Sequence, residues 1–229
     1  YTDQFNVSLL NFIVSESAKL SVTKYIRSKF IPISNGADFS QISGISPEMK
    51  KSFKSKFNIP INHKIASYIG GEHKFDPQFT KAIIDQALVD CPDITFVLAG
   101  NLPTFKSPNV VFTGIITNDE ANILYTISDV GLTLKNTLNN NFIFNSVPLK
   151  FIQYAAAKKP IVSFPIKWSV DNAFKNITHI ESENITMWMG VINMRVHEFK
   201  WNTELDTTWK KYDWQNIAQN IYNQIKINS

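Results

Sequence analysis

Apolar positions along the chain fall into two rhythms. Short continuous apolar runs, the mark of strands buried on both faces, occupy residues 10–14, 30–33, 65–69, 94–99, 109–113, 129–134, 161–164 and 177–180. Between them, apolar residues recur every three or four positions at 15–29, 47–57, 77–91, 117–128, 148–158, 168–175, 184–194 and 213–227, which predicts helices. In the last of these, Trp214, Ile217, Ile221 and Ile225 share one stripe. Strands alternating with helices at this spacing predict an α/β fold, a doubly wound parallel sheet covered on both faces and closed by a C-terminal helix. No repeat recurs at a fixed period.

Boundary residues agree with that division. Asp76 precedes Pro77 as a helix cap, and Thr117-Asn118-Asp119-Glu120 has the form of a capping box, in which hydroxyl and carboxylate satisfy each other's free NH groups. Pro148 suits a first helical turn, and Lys158-Lys159-Pro160 ends that helix before the next strand. Asn58-Ile59-Pro60 reads as a linker. The chain therefore divides into residues 1–60, a regular α/β domain over 61–200, and a C-terminal segment over 201–229.

Composition narrows the class. With 229 residues, 44% apolar and 13% aromatic, the chain can bury a sizeable core, and no apolar run approaches the ~20 residues that span a bilayer. The net charge of +4 is modest, and the lysine run Lys50, Lys51, Lys54, Lys56 reads as a solvated helix face, so no nucleic-acid partner is expected. A lone cysteine, Cys91, excludes an internal disulfide and reads as a buried thiol in a reducing, cytoplasmic setting. His63, His73, His179 and His197 lack metal spacing, and neither a nucleophile elbow nor a Gly-x-Gly-x-x-Gly pattern occurs. Neither a metal nor a cofactor is expected. The first residue is Tyr1, which suggests a processed chain or a fragment.

Ligands of doubly wound sheets bind at the carboxyl ends of the strands, which selects residues 70–74, 100–102, 114–116 and 135–145 and the entry to the Pro148 helix. Lys150 falls in that helix's first turn, where a cation opposes the helix dipole unless an anion binds there. Gln153, one turn on, can grip the same ligand, and Ser146 lies just before the helix. Gly70 and Gly71 allow close backbone approach, and Lys74 adds a second cation. His73 can bond a phosphate oxygen, and Ile115 and Ile116 can pack on a flat base. Each also fits a plainer role: a solvated Lys and Gln, a solvated histidine, two core isoleucines. Phe142 and Phe144, in the 135–145 loop, suit a lid or a partner surface.

The order Pro32-Ile33-Ser34-Asn35-Gly36-Ala37-Asp38, Ile69-Gly70-Gly71, Val110 to Gly114, Pro148-Leu149-Lys150 and Lys159-Pro160-Ile161-Val162 resembles the donor-binding half of GT-B glycosyltransferases. That resemblance implies a Rossmann-like half that binds a nucleotide-sugar, with residues 1–60 closing the acceptor-binding half and crossing over, and the last helix crossing back. It gives Lys150 to the diphosphate and Gln153 to the ribose hydroxyls, where many relatives carry glutamate; glutamine can still accept through its oxygen. The strings Leu149-Lys150-Phe151-Ile152-Gln153-Tyr154 and Phe75-Asp76-Pro77-Gln78-Phe79 are similar to the xanthan-type glucuronosyltransferase family. The donor implied is a UDP-sugar, UDP-glucuronic acid by the second resemblance, and the acceptor a glycan or lipid-linked sugar at the inner membrane face, with peripheral membrane contact. Most of the acceptor half, and any catalytic base, would then precede Tyr1, and the fragment would bind donor without turnover. A sugar-nucleotide epimerase and a non-catalytic binding protein of the same fold are the alternatives.

Overall fold

The computed structural model describes residues 11–13, 30–135 and 148–228. Two short strands, β1 (Asn11–Ile13) and β2 (Phe30–Pro32), pair in parallel apart from the main sheet. Then come helices α1 (Phe39–Ser43) and α2 (Pro47–Lys56), strand β3 (Lys64–Ile69), helix α3 (Pro77–Asp90), and strands β4 (Ile94–Ala99) and β5 (Val110–Gly114). Helix α4 (Asn118–Ile127) leads to β6 (Val130–Thr133), α5 (Leu149–Ala156), β7 (Ile161–Ser163), α6 (Lys167–Asp171) and β8 (Ile177–His179). Helices α7 (Ile185–Glu198), α8 (Thr203–Lys210) and α9 (Trp214–Asn228) follow.

The six strands β3 to β8 form one all-parallel sheet in the order β5-β4-β3-β6-β7-β8. The chain therefore builds outward from β3 to one edge, returns to its other side at β6, and builds to the opposite edge. Alternation along the strands separates the two faces. Ala66, Tyr68, Phe96 and Leu98 pack with Ile83, Ile84 and Ala87 of α3 and Trp188, Met189 and Ile192 of α7. On the other face, Ile65, Val97 and Ala99 meet Phe53 of α2 and Ile123 and Leu124 of α4. Phe151, Ile152, Tyr154 and Ala155 of α5 share a further cluster with Leu205 and Trp209 of α8. This is the doubly wound sheet that the apolar rhythm predicts.

Both expected caps are present: Asp76 accepts from the Phe79 amide at 2.9 Å, and Thr117 and Glu120 form the reciprocal capping box. Several details differ from the expectation. Pro148 stands one residue before α5 in extended conformation, outside its first turn. Helix α6 stops at Asp171, four residues short of the expected end, and α7 runs to Glu198, four beyond it. Helix α8 has no counterpart among the predicted elements, because its three threonines and few apolar residues give a weak helical signal. It is held by the Asn202 cap and by Trp209, which stacks on Phe174 at 4.3 Å and donates to Asn176 Oδ1 at 2.9 Å. Of the α9 stripe, Ile217 is buried, whereas Trp214 and Ile225 are nearly half exposed.

Ala37 bridges to Asp213 through hydrogen bonds of 3.0 Å to Tyr212 and Trp214, tying the segment after β2 to the start of α9. Gly36 is required there by contact, since a Cβ would lie 2.6 Å from Ile217 Cδ1 and 2.9 Å from Trp214. The helix expected over residues 15–29, and Phe142, Ile143, Phe144 and Ser146 of the segment before Pro148, lie outside the described residues. No helix among the described residues is long and apolar enough to cross a membrane.

Candidate functional site

The reversal of strand order between β3 and β6 opens a crevice at their carboxyl ends, the place where doubly wound sheets bind ligands. The backbone there is set by glycine. Gly100, directly after β4, has φ +129°, and a Cβ on it would lie 1.9 Å from the Gly70 carbonyl oxygen, so no other residue fits. Gly70 in turn donates to Ala99 at 3.0 Å, which fixes where the glycine loop leaves β3. A 3-10 turn, Glu72–Lys74, follows. The Tyr68 hydroxyl holds this loop by donating to the carbonyls of Lys74 at 2.9 Å and Gly71 at 3.2 Å, and Lys135 Nζ, just past β6, donates to the His73 carbonyl at 2.9 Å.

Between the loop and α5 lies a cavity of about 280 Å³. Gly70, Gly71, His73, Lys74, Lys150 and Gln153, six of the residues proposed from sequence, line it together with Tyr125, Thr133, Lys135 and Ile166. Ile115 and Ile116 do not line it: they follow β5 at the edge of the sheet, where Ile115 is 82% exposed and Ile116 packs against the α2 and α4 cluster. Tyr125 and Thr133 are residues that sequence reasoning missed, and Lys135 entered it only as the start of the 135–145 loop. Tyr125 reads as one more apolar position on α4 and Thr133 as one more strand residue; the signal available for Thr133 was its place at the carboxyl end of a strand.

Lys150 is the unusual member. The stem is partly exposed, yet Nζ is buried and has no hydrogen-bond partner among the described residues. It sits over the Tyr68 ring, 4.1 Å from the centroid, an attraction that does not replace lost hydration. Burial, and secondarily the charge of Lys74, pull its pKa down to about 7. The Thr133 hydroxyl, on the neighbouring strand end, is likewise buried without a partner. Pro148 supplies no capping side chain to α5, unlike Asp76 for α3 or Thr117 for α4; the Phe151 amide donates to the Pro148 carbonyl at 3.1 Å, and the Leu149 and Lys150 amides have no partner within the helix.

The electrostatic sense is uniform. Lys74, Lys135 and Lys150 line the cavity, no carboxylate does so among the described residues, and the N-terminus of an uncapped helix adds its positive dipole end. Ser34, Ser107 and His179 also carry buried polar atoms without a partner among the described residues, but Lys150 and Thr133 are the two such residues that line one cavity, and a ligand there can serve both. An anion with several acceptor oxygens satisfies the ammonium, the hydroxyl and the amides at once. Among the described residues no group of side chains could hold a metal ion.

No family model matches the chain, and no curated protein does. Solved structures share its fold. HepE from Anabaena, in complex with UDP and glucose, aligns with a TM-score of 0.65 and 15% identity over 98% of this chain and 65% of its own. WaaG, a glycosyltransferase involved in lipopolysaccharide biosynthesis, gives 0.57 and 13% over 91% and 57%. The UDP-GlcNAc 2-epimerase of Neisseria meningitidis, bound to UDP-GlcNAc, gives 0.56 and 14% over 95% and 60%. The chain thus spans roughly two thirds or less of these proteins, and its sheet is the Rossmann-like half of the GT-B architecture.

Proposed function

We propose that this chain binds the nucleotide-sugar donor of a glycosyltransferase, with a UDP-sugar seated between the glycine loop and the start of α5. The observation that carries this reading is the buried Lys150 ammonium, which has no partner among the described residues and faces a cavity that no described carboxylate lines, beside the likewise unpartnered Thr133 hydroxyl and a helix to which Pro148 offers no capping side chain. A diphosphate supplies what these groups lack. Lys150 and Lys74 offset its charge, and both, with the helix N-terminus, stabilise the charge that grows on the leaving diphosphate as the sugar departs. Gln153, one turn along α5, lies where the ribose follows the diphosphate.

UDP as the nucleotide is supported by HepE, which shares the fold and was solved with UDP and glucose. UDP-glucuronic acid as the donor, and a glycan or lipid-linked acceptor reached at a membrane face, rest on the sequence resemblance and extend the same proposal. The epimerase of the same fold makes sugar-nucleotide epimerisation the second reading. Proton abstraction from a sugar carbon needs a base at the cleft, and no carboxylate lines it among the described residues, so His73 or Lys150 would have to serve.

Calorimetric titration of the chain with UDP, GDP and ADP tests the proposal. UDP should bind with preference, and Lys150→Ala should weaken it by about 30-fold, the loss of one hydrogen bond to a charged group in a buried site. Absence of binding by all three nucleotides, or unchanged UDP affinity in Lys150→Ala, would overturn it and leave a partner-binding protein of this fold.

A further inference from the structure

Gln153 does not stand free in the cavity wall. Tyr125 reaches it from α4, and the Tyr125 hydroxyl donates to Gln153 Oε1 at 2.7 Å. The ring has little freedom: it is 3% exposed and packs edge-on against Tyr154, with centroids 4.7 Å apart and planes at 90°. Burial raises its pKa, so the hydroxyl keeps its proton, and that proton requires an acceptor. Among the described residues Gln153 Oε1 is the acceptor it reaches. Turning the amide over would set its NH2 against the hydroxyl and take from the hydroxyl proton the acceptor that the described residues give it. One orientation of the amide is therefore selected by Tyr125, which itself lines the cavity.

We infer that Tyr125 is a positioning residue that holds Gln153 with its NH2 toward the cavity, so that the ligand group meeting Gln153 is bound through its lone pairs and not through a hydroxyl hydrogen. The inference rests on the donor-site reading and sets the hydrogen-bond polarity of that site. It also makes the wall uniform, since the Lys74, Lys135 and Lys150 ammonium groups and the Gln153 NH2 are all donors. A glutamate at this position would reverse the polarity, accept a hydroxyl hydrogen, and cancel part of the positive field. Gln153 with Tyr125 keeps the pair neutral.

The test has a ligand-free and a ligand-bound arm. By proton NMR of the free chain, the Tyr125 hydroxyl should give a slowly exchanging resonance that is absent from Tyr125→Phe and unprotected in Gln153→Leu. A resonance that survives in Gln153→Leu, or none in the wild type, overturns the inference. Titrations then compare UDP with its 2′- and 3′-deoxyfluoro analogues, whose fluorine accepts weakly but cannot donate. The wild type should bind both analogues within about threefold of UDP, while Gln153→Glu should disfavour at least one by more than about tenfold, the scale of one hydrogen bond lost against a charge. In Tyr125→Phe, which keeps the ring but releases the amide, the preference for UDP should rise toward that of Gln153→Glu. A tenfold preference for UDP already in the wild type overturns the inference. Failure of UDP to bind the wild type at all sinks the donor-site reading and with it the ligand arm, while the hydroxyl resonance still decides the amide orientation by itself.

Discussion

Helix α5 carries two buried polar side chains one turn apart, and they live in opposite surroundings. Tyr154 faces the underside of β3: its hydroxyl lies 2.7 Å from Ser67 Oγ and donates to the Ser67 carbonyl at 2.9 Å, while Ser67 and Ser128 hydroxyls are 2.6 Å apart and Ser128 donates to Leu124. Every member of that network is satisfied. Lys150, four residues earlier and at the carboxyl end of the sheet, has Nζ buried with no partner, beside the equally unpartnered Thr133 hydroxyl. A complete network fixes the register of a helix on a sheet; an incomplete one in the same helix leaves groups that a ligand could satisfy. Within α5, polar satisfaction separates the side chain that anchors the helix from the one that faces the cavity.

Truncation should expose that contrast with opposite signs. Tyr154→Ala removes a fully buried ring and takes one partner each from the Ser67 hydroxyl and the Ser67 carbonyl, so urea denaturation should show a loss of about 3–5 kcal/mol. Lys150→Met removes a buried group that nothing in the free chain satisfies, and should leave stability unchanged or raise it by about 1 kcal/mol. A loss as large as that of Tyr154→Ala would mean that Lys150 is part of the scaffold.

The same lysine predicts a pH dependence. Its folded pKa, near 7, lies below the unfolded value of about 10.4, so between those limits the unfolded chain binds the proton and the folded chain does not. Stability from this group therefore rises with pH from about 7 to 10.4 and is flat below 7, where both states are protonated. Thermal melts across that window should show the slope in the wild type and lose it in Lys150→Met. The smallest effect belongs to Thr133→Val, which should change stability by less than about 1 kcal/mol while weakening UDP a few-fold, since its hydroxyl meets no partner until a ligand arrives.

Much of this was legible in the chain because it is local. Apolar periodicity places the strands and most helices, and the Asp76 and Thr117-Glu120 caps mark two helix starts within a residue. Lys150 stood out because a cation in a first turn contradicts the helix dipole, a rule that needs no tertiary information. Helix α8 was illegible because its stability comes from Trp209 packing on Phe174 and not from its own composition. Ile115 and Ile116 illustrate the reverse error: they follow a glycine at a strand end, as residues 70–74 do, but β5 lies at the sheet edge and β3 at the reversal of strand order.

By itself, then, the sequence determined the strands and most of the helices among the described residues, where two helices begin, and that positive charge gathers at one helix entry, all properties of neighbours within a few residues. Only the tertiary structure decided that β6 lies beside β3, which brings Thr133 and Lys135 to the glycine loop and places Tyr125 against Gln153. Strand order, the burial of one ammonium and the orientation of one amide depend on partners 28 to 82 positions away in the sequence, where pattern along the chain carries no information about distance in space.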